Sequence, residues 1–307
     1  MINENLQPIQ TQKTVSTGNL KARSASQVFW FSIMWLAGLI TLLVLLLVLG
    51  YVIVQGGKAI NWEFLTTAPR GGLSGEGGIS TTIGTTVYLV GLTLLVATPL
   101  GVGAAIYLIE YAGEQGLTSP ILRVLISIAN FAVETLAGIP SIIFGLFGYA
   151  LFVSTLQFGW SLLSASLAGA CLVLPTIIRT TEEALLAVPD DYRRGSLALG
   201  ATKWQTLHKV VLPAALPGII TGIILSVGRI ISETAVFFVT LGGSHRLPSS
   251  IMDGGRTLAL HLYYLAMDTN AFNKAMGTGA VLVILIVLIN MVINIISRRL
   301  TAKVRGG

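Results

Sequence analysis

The sequence predicts an all-α integral membrane protein that crosses the bilayer with about six transmembrane helices. Hydrophobic residues occupy 53% of its 307 positions and charged residues only 10%, whereas a soluble domain carries about 25% charged residues. Long apolar runs recur along the chain, and about 20 such residues in a helix span the hydrocarbon core. Lys and Arg outnumber Asp and Glu by 19 to 13. Most of these basic residues flank the apolar runs, which indicates membrane topology rather than nucleic-acid binding.

The apolar runs divide the chain into four parts. In order, these are a polar tail (1–27), a first span with an outer loop (28–81), a main transmembrane domain (82–300) and a short tail (301–307). The expected spans are Val28–Val54, Thr82–Ile109, Val124–Phe152, Leu162–Ile178, Pro217–Leu241 and Thr278–Ile296. Gly138 and Pro140 predict a kink or break in the third span. The positive-inside rule favours a flexible cytoplasmic N-terminal tail and a cytoplasmic C-terminus.

The loop between the fourth and fifth spans, residues 179–216, is expected to form a helix, a break and a second helix. Gly200 suits the left-handed conformation that commonly ends a helix. Thr202, followed three positions later by Gln205, matches a capping box that begins the next helix. An ordinary amphipathic loop on the membrane surface is the alternative that these features leave open.

Three ionisable residues lie well inside predicted spans: Glu134 in the third, and Arg229 and Glu233 in the fifth. Each costs roughly 2.5–3.5 kcal/mol at a helix centre, so such side chains are expected to face a cavity or a partner. The four-residue spacing of Arg229 and Glu233 predicts that they share one helix face. Small residues that allow close helix packing continue the same stripe; they are Gly218, Gly222 and Ser226.

This charge pattern favours a pathway for an anion. A guanidinium suits a tetrahedral oxyanion because its forked donors can bond two oxygens at once. Arg229 is therefore predicted to meet the anion, while Glu233 and Glu134 orient or gate it. A buried Arg–Glu pair that only fixes helix register is the alternative.

Several segments resemble the phosphate-specific (Pst) permeases, which are type I ABC importers. The 179–216 loop is similar to the coupling motif of such permeases, although Glu-Ala-Ala is replaced at its start. The matched positions are Arg194, Gly195, Ser196, Gly200, Leu212 and Pro213. Glu134–Leu146 resembles the family's Leu-Ala-Gly-Ile-Pro-Ser segment, and Arg229–Ala235 resembles its Arg-x-x-Gly-Glu-Thr-Ala segment. Met252–His261 resembles the PstA subunit more than PstC.

The resemblance implies a type I importer permease fold, with a cytoplasmic coupling helix, in the bacterial inner membrane. It also implies the partners: a second, PstC-like permease, a PstB-like ATPase dimer, an external PstS-like binding protein, and phosphate as substrate. The chain itself contains no Gly-x-x-x-x-Gly-Lys-[Ser/Thr] loop. We therefore expect no enzyme activity and no cofactor or metal in this chain, with ATP and Mg used by the partner ATPase.

Three other functions stay open at this point. The chain is also compatible with a permease for sulfate or molybdate. A secondary transporter or channel would work without an ATPase and without a docking loop. A membrane scaffold or sensor of phosphate status would signal without transporting.

Overall fold

The computed structural model describes residues 17–70, 75–112 and 120–305 of the chain. Within these ranges the chain forms helices and loops, with a single antiparallel bridge between Pro69 and Gly77. Residue contacts divide the chain into two compact units, Met1–Tyr51 and Val52–Gly307. The all-α prediction is confirmed.

The described part of the first unit is one helix, α1 (Thr17–Gly57), whose last residues belong to the second unit. Its segment Ser26–Gly57 is long and apolar enough to cross a membrane, which confirms the first predicted span. The helix begins ahead of the predicted start at Val28. Residues 17–27, which were predicted to belong to the tail, are thus helical; the rest of the predicted tail lies outside the described residues.

The second unit contains the remaining helices. Their bounds are α2 (Trp62–Thr66), α3 (Ser80–Ile106), α4 (Pro120–Ala137), α5 (Ser141–Gly148), α6 (Leu162–Leu186), α7 (Asp190–Ala198), α8 (Lys203–Thr206), α9 (Leu212–Ser232), α10 (Ala235–Thr240), α11 (Leu258–Met267) and α12 (Phe272–Arg305). Wider π-helical turns follow α3, α5 and α8 at Tyr107–Tyr111, Tyr149–Thr155 and Leu207–Val211. The last helix takes in most of the predicted 301–307 tail, and residues 306–307 lie outside the described ranges.

Within the described ranges, five helices are long and apolar enough to cross a membrane, or six if the bent pair of α4 and α5 counts as one span. The helix axis turns by 111° between the two halves of that pair, Arg123–Ala137 and Ser141–Thr155. Pro140 stands between them with ψ at 136°, and its ring leaves no N–H to continue a helical ladder. The predicted break in the third span is confirmed.

Two predicted boundaries are wrong. The fourth span was expected to end at Ile178, but α6 continues to Leu186, so Arg179 belongs to the helix and the 179–216 loop starts later. The fifth span was expected to reach Leu241, but α9 ends at Ser232 and a short helix follows the break. Charged side chains that pair with one another extend α6 past its apolar run.

Close packing between α6 and α9 uses the small-residue stripe. A Cβ atom at Gly218 would lie 2.5 Å from the Cβ atom of Ala184, and one at Gly222 would collide with Thr180. Ser226, farther along the stripe, is fully buried. The stripe therefore brings the two helix backbones together, as its composition predicts.

The loops of the second unit gather at two ends. At one, which we call the loop end, the Thr81 hydroxyl donates to the His245 carbonyl and the Leu162 N–H donates to the Asp253 carbonyl, each over 2.9 Å. At the other, the α7 end, α6 finishes and α7 begins. Helices α3 and α6 run from the loop end to the α7 end, and α9 returns.

Candidate anion pathway and coupling surface

Arg229 lies on the last turn of α9 and is exposed on the surface of the second unit. None of the ion pairs between described residues includes it. The alternative of a buried Arg–Glu pair that fixes helix register therefore does not match this arrangement. An arginine on a membrane-spanning helix needs a polar environment. In the described part of this chain, no carboxylate supplies it.

Glu233 lies beyond the end of α9, with extended backbone angles of −75° and 130°. Its Oε1 atom accepts hydrogen bonds from the N–H groups of Ala235 at 3.1 Å and Val236 at 3.4 Å. The carboxylate thus caps the first turn of α10. The predicted helix face shared by Arg229 and Glu233 is wrong, because the helix stops between them. The half-buried carboxylate is instead fixed at the break.

Glu134 is 78% exposed, and its Oε1 atom lies 3.9 Å from Nη2 of Arg179. Arg179 also donates from Nη1 to the buried carboxylate of Glu182 at 2.8 Å and from Nη2 to the carbonyl of Asn130 at 3.2 Å. Arg179 therefore joins α4 to α6. Sequence reasoning missed this role because it ended the fourth span at Ile178, whereas α6 continues to Leu186; the three-residue spacing of Arg179 from Glu182 was the available signal.

The structure does not join these two sets of charges. No ion pair or hydrogen bond between described side chains connects Glu134 or Arg179 with Arg229 or Glu233. The predicted pathway residues thus occupy two separate places, one at the break after α9 and one where α4 meets α6.

The predicted helix–break–helix of the coupling loop is confirmed. Gly200 adopts φ of +83° between α7 and α8. Thr202 and Gln205 form the expected capping box: the Gln205 N–H donates to the Thr202 hydroxyl at 3.2 Å, and the Thr202 N–H donates to Oε1 of Gln205 at 2.9 Å. The hydroxyls of Ser196 and Thr206 lie 2.9 Å apart and link the two helices.

The matched motif positions divide between this turn and the helix that follows. Arg194, Gly195 and Ser196 lie on α7, while Leu212 and Pro213 begin α9. Large apolar side chains stand outside the same turn, with Leu199 at 91% and Trp204 at 63% exposure. Exposed apolar groups beside polar ones are typical of a protein-binding surface.

Like Arg179, Arg193 joins two parts of the fold: it connects α7 to the end of the second span. Its Nε and Nη2 atoms donate to Oε1 of Glu110 at 3.1 and 2.8 Å. It also donates to the carbonyls of Leu185 and Val188 at 2.8 Å each. Residues 83 positions apart make this pair, so no local spacing could have predicted it.

The described residues thus form a helical membrane unit with broken spans, an arginine on one span that pairs with no described carboxylate, and a two-helix turn at the α7 end. The solved alginate ABC transporter in complex with its periplasmic protein superposes with a TM-score of 0.60 at 14% identity, covering 91% of this chain and 97% of that one. The MetNI methionine transporter gives 0.52 at 22% identity, covering 74% and 94%. These likenesses show the type I ABC importer permease fold.

The family model for binding-protein-dependent transport system inner membrane components matches residues 97–306. The phosphate transport permease PstA of Mycobacterium leprae is 36% identical over 259 residues, covering 82% of each chain. The probable ABC transporter permease YqgI of Bacillus subtilis is 32% identical over 273 residues, covering 82% of this chain and 90% of that protein.

The chain belongs to this permease family, and the resemblance to PstA is confirmed. It is a multi-pass inner-membrane subunit of an ABC importer, not an ATPase. The ATPase and the binding protein of such an importer are separate partners.

Proposed function

We propose that this chain forms half of the translocation pathway of an ATP-driven phosphate importer. The observation that carries the proposal is Arg229, which is exposed on a membrane-spanning helix and pairs with no carboxylate among the described residues. A cation in that position is expensive unless it faces water, a substrate anion or another subunit. The similarity to PstA permeases identifies phosphate as the anion.

Arg229 attracts phosphate through its forked guanidinium, which can bond two oxygens of a tetrahedral anion. Glu233 stands at the break just beyond it, and its carboxylate is held by two backbone N–H groups. A fixed negative charge there opposes tight anion binding, so it favours release. Glu134 shares Arg179 with Glu182 and forms a second charged point between α4 and α6. A pathway built this way conducts because no single point holds the anion strongly.

The finer assembly follows from the same proposal. A PstC-like permease supplies the other half of the pathway, a PstB-like ATPase dimer uses ATP and Mg, and a PstS-like protein delivers phosphate outside. The α7 end faces the cytoplasm, because basic residues concentrate there and the positive-inside rule then places both termini inside. Residues Arg194 to Pro213 carry the coupling surface, with Leu199 and Trp204 as its apolar anchors.

Phosphate uptake into reconstituted vesicles, driven by binding protein and ATP, tests the proposal. Arg229→Gln is expected to abolish uptake while the complex still co-purifies with the ATPase. Arg229→Lys keeps the charge but not the fork and is expected to retain part of the activity. Arg70→Gln, which removes an exposed cation outside the spans, is the matched control and is expected to transport normally.

The alternatives give different results in the same experiment. Normal uptake by Arg229→Gln contradicts the pathway role. Uptake of sulfate or molybdate in place of phosphate by the wild type contradicts the substrate assignment. Phosphate uptake that survives deletion of the chain in cells, with loss of the response to phosphate limitation, identifies a sensor or scaffold instead.

A further inference from the structure

The loop end of the second unit contains a cluster of basic side chains that the pathway described above does not use. We call it the basic cluster: Arg256, His245, His261 and Lys274. Arg256 donates from Nη2 to the Gly243 carbonyl at 2.9 Å, and its Nη1 lies 3.5 Å from Nδ1 of His261. Its guanidinium carbon lies 4.2 Å from the centre of the Tyr264 ring. Lys274 donates to a backbone carbonyl of the neighbouring loop at 2.9 Å.

The basic cluster has no carboxylate at ion-pair distance among the described residues. Of the ion pairs found in the described ranges, none includes Arg256 or Lys274. Asp268 acts on Arg256 only from beyond ion-pair distance. Two nitrogen atoms, Nε of Arg256 and Nδ1 of His245, are buried and have no hydrogen-bond partner among the described residues. Buried donors and charges in native proteins are nearly always paired, so Nε of Arg256, which can only donate, indicates a missing acceptor. Nδ1 of His245 adds a second donor in the tautomer that is protonated there.

The electrostatics of the cluster point the same way. Burial lowers the pKa of His261 to about 3, and the charges of Arg256, His245 and Lys274 add to the lowering. His261 is therefore neutral at physiological pH. Burial, followed by the charge of Arg256, also lowers the pKa of His245. Burial is the larger cause of both shifts, and the charge of Arg256 adds to each of them.

The cluster is also held in place. The hydroxyl of Thr81 donates to the backbone carbonyl of His245 at 2.9 Å. The hydroxyl of Thr86 accepts the N–H of Leu258 at 2.9 Å, just after Arg256. Both threonines lie near the start of α3. The loop is therefore fastened to a membrane-spanning helix, and its donors keep fixed positions.

We infer that the basic cluster binds a tetrahedral oxyanion, inorganic phosphate, before the anion reaches Arg229. The unpartnered Nε of Arg256 and Nδ1 of His245, in the tautomer that is protonated there, each donate to a phosphate oxygen. Neutral His261 adds a third polar contact. The inference rests on the proposed function, because the loop end faces the binding protein only if the α7 end is cytoplasmic. A first binding step there raises the local concentration of the anion beside the pathway.

Histidine NMR on the full chain, assembled with its partner subunits in maltoside micelles, tests this inference. The chain has three histidines, and His208, on the α7 end, is an internal reference. Inorganic phosphate, added at constant ionic strength against chloride, is expected to shift the His245 and His261 signals saturably and to raise the pKa of His261 from about 3. Equal shifts with chloride, or no shift, would overturn the inference.

Variants assign the site. Arg256→Gln is expected to weaken phosphate binding by about tenfold or more, as the loss of a charge-assisted hydrogen bond predicts. His245→Ala removes one donor from a half-exposed side chain, so it remains informative if Arg256→Gln fails to assemble. Arg246→Gln, an exposed neighbour outside the cluster, is the matched control and is expected to bind as the wild type does. Unchanged binding in both cluster variants contradicts the inference.

Two further arms separate this inference from its alternatives. Phosphatidylglycerol added to the micelles in place of phosphate reveals whether a lipid headgroup is the true ligand, and shifts with the lipid alone overturn the relay. In the Arg229→Gln complex, the cluster is expected to bind phosphate although uptake is lost. If the wild type binds phosphate at the cluster but imports none, the proposed function fails and the binding site stands. If import is normal and Arg256→Gln imports equally well, the relay alone fails.

Discussion

Replacing Arg193 by Gln is expected to loosen the joint between α7 and the second span while every span stays folded. The guanidinium donates to Glu110 over 2.8 and 3.1 Å, and to the carbonyls of Leu185 and Val188 over 2.8 Å each. Glutamine is uncharged and shorter, so it cannot reach all of these acceptors. The Glu110 carboxylate, whose side chain is only 11% exposed, then loses its counterion.

The magnitude follows from the burial of the pair. Removing one partner of a fully buried ion pair costs about 3–5 kcal/mol. The two side chains keep 18% and 11% exposure, so we expect the unfolding free energy to fall by about 2–3 kcal/mol. Asp190 lies 3.3 Å from the same guanidinium but is 71% exposed. Asp190→Asn is therefore a matched control, expected to change the unfolding free energy by less than about 1 kcal/mol.

The functional consequence is weaker coupling. The α7 turn is the surface proposed to contact the ATPase, and Arg193 connects it to Glu110 at the end of the second span. We expect Arg193→Gln to keep ATP hydrolysis in reconstituted vesicles while the amount of phosphate imported per ATP falls. The double variant with Glu110→Gln is expected to lose less stability than the sum of the single changes, because neither charge is left alone.

Three measurements decide this prediction: denaturant unfolding, ATP hydrolysis and phosphate uptake. If Arg193→Gln is as stable as Asp190→Asn and imports as much phosphate per ATP as the wild type, the Arg193–Glu110 pair does not connect α7 to the second span. Additive single and double variants would likewise show that Arg193 and Glu110 act independently.

Three other predictions follow from the structure. Gly145→Val is expected to push α5 away from α10, since a Cβ there would lie 3.0 Å from Cα of Val236, and to lower phosphate uptake about tenfold or more. Gly91→Val is the control, because a Cβ at that position would meet nothing within 4 Å. Equal uptake by both variants would refute the contact. Trp204→Asp is expected to reduce co-purification of the ATPase. Trp62 is 80% exposed on α2, and Trp62→Asp is the control that leaves co-purification intact. If both variants co-purify with the ATPase, Trp204 is not an anchor. Burial lowers the pKa of His261 from its ordinary 6.5 to about 3, so its contribution to stability is complete above pH 6.5 and is lost as the pH falls toward 3. His261→Asn is therefore expected to flatten the pH dependence of the unfolding temperature. An unchanged pH dependence would contradict the shift.

Much of the fold could be predicted because the bilayer constrains the sequence so strongly. An apolar run of sufficient length must be helical in lipid, since no water satisfies its backbone groups. The backbone preference of Pro140 predicted the break in the third span, and that of Gly200 predicted the turn after α7. Apolar length says nothing about where a charged helix end stops, however. The sequence therefore placed the end of the fourth span before Arg179, although Arg179 and Glu182 pair within α6.

The sequence could name candidate pathway residues but not the contacts that they make. A charged residue inside an apolar run is costly and therefore easy to recognise in a sequence, as Glu134, Arg229 and Glu233 were. Their partners depend on tertiary packing that no spacing records. Arg193 meets Glu110 across 83 positions, and Glu134 meets Arg179 on a different helix. The basic cluster is partly of the same kind: Arg256 and His261 are five residues apart, but His245 joins them from eleven positions before Arg256.

The two breaks in the spans belong to one arrangement. Helix α5 begins after Pro140 and α10 begins after Glu233, and these two short helices pack together through Gly145 and Gly148, where a Cβ would meet Val236 and Thr240. Irregular backbone at membrane depth is tolerated only where protein or a water-filled cavity surrounds it. The break after α9 therefore places irregular polar backbone within one helical turn of Arg229. In the proposed pathway this is where the anion would pass, and the uptake of phosphate by Arg229→Gln tests that role.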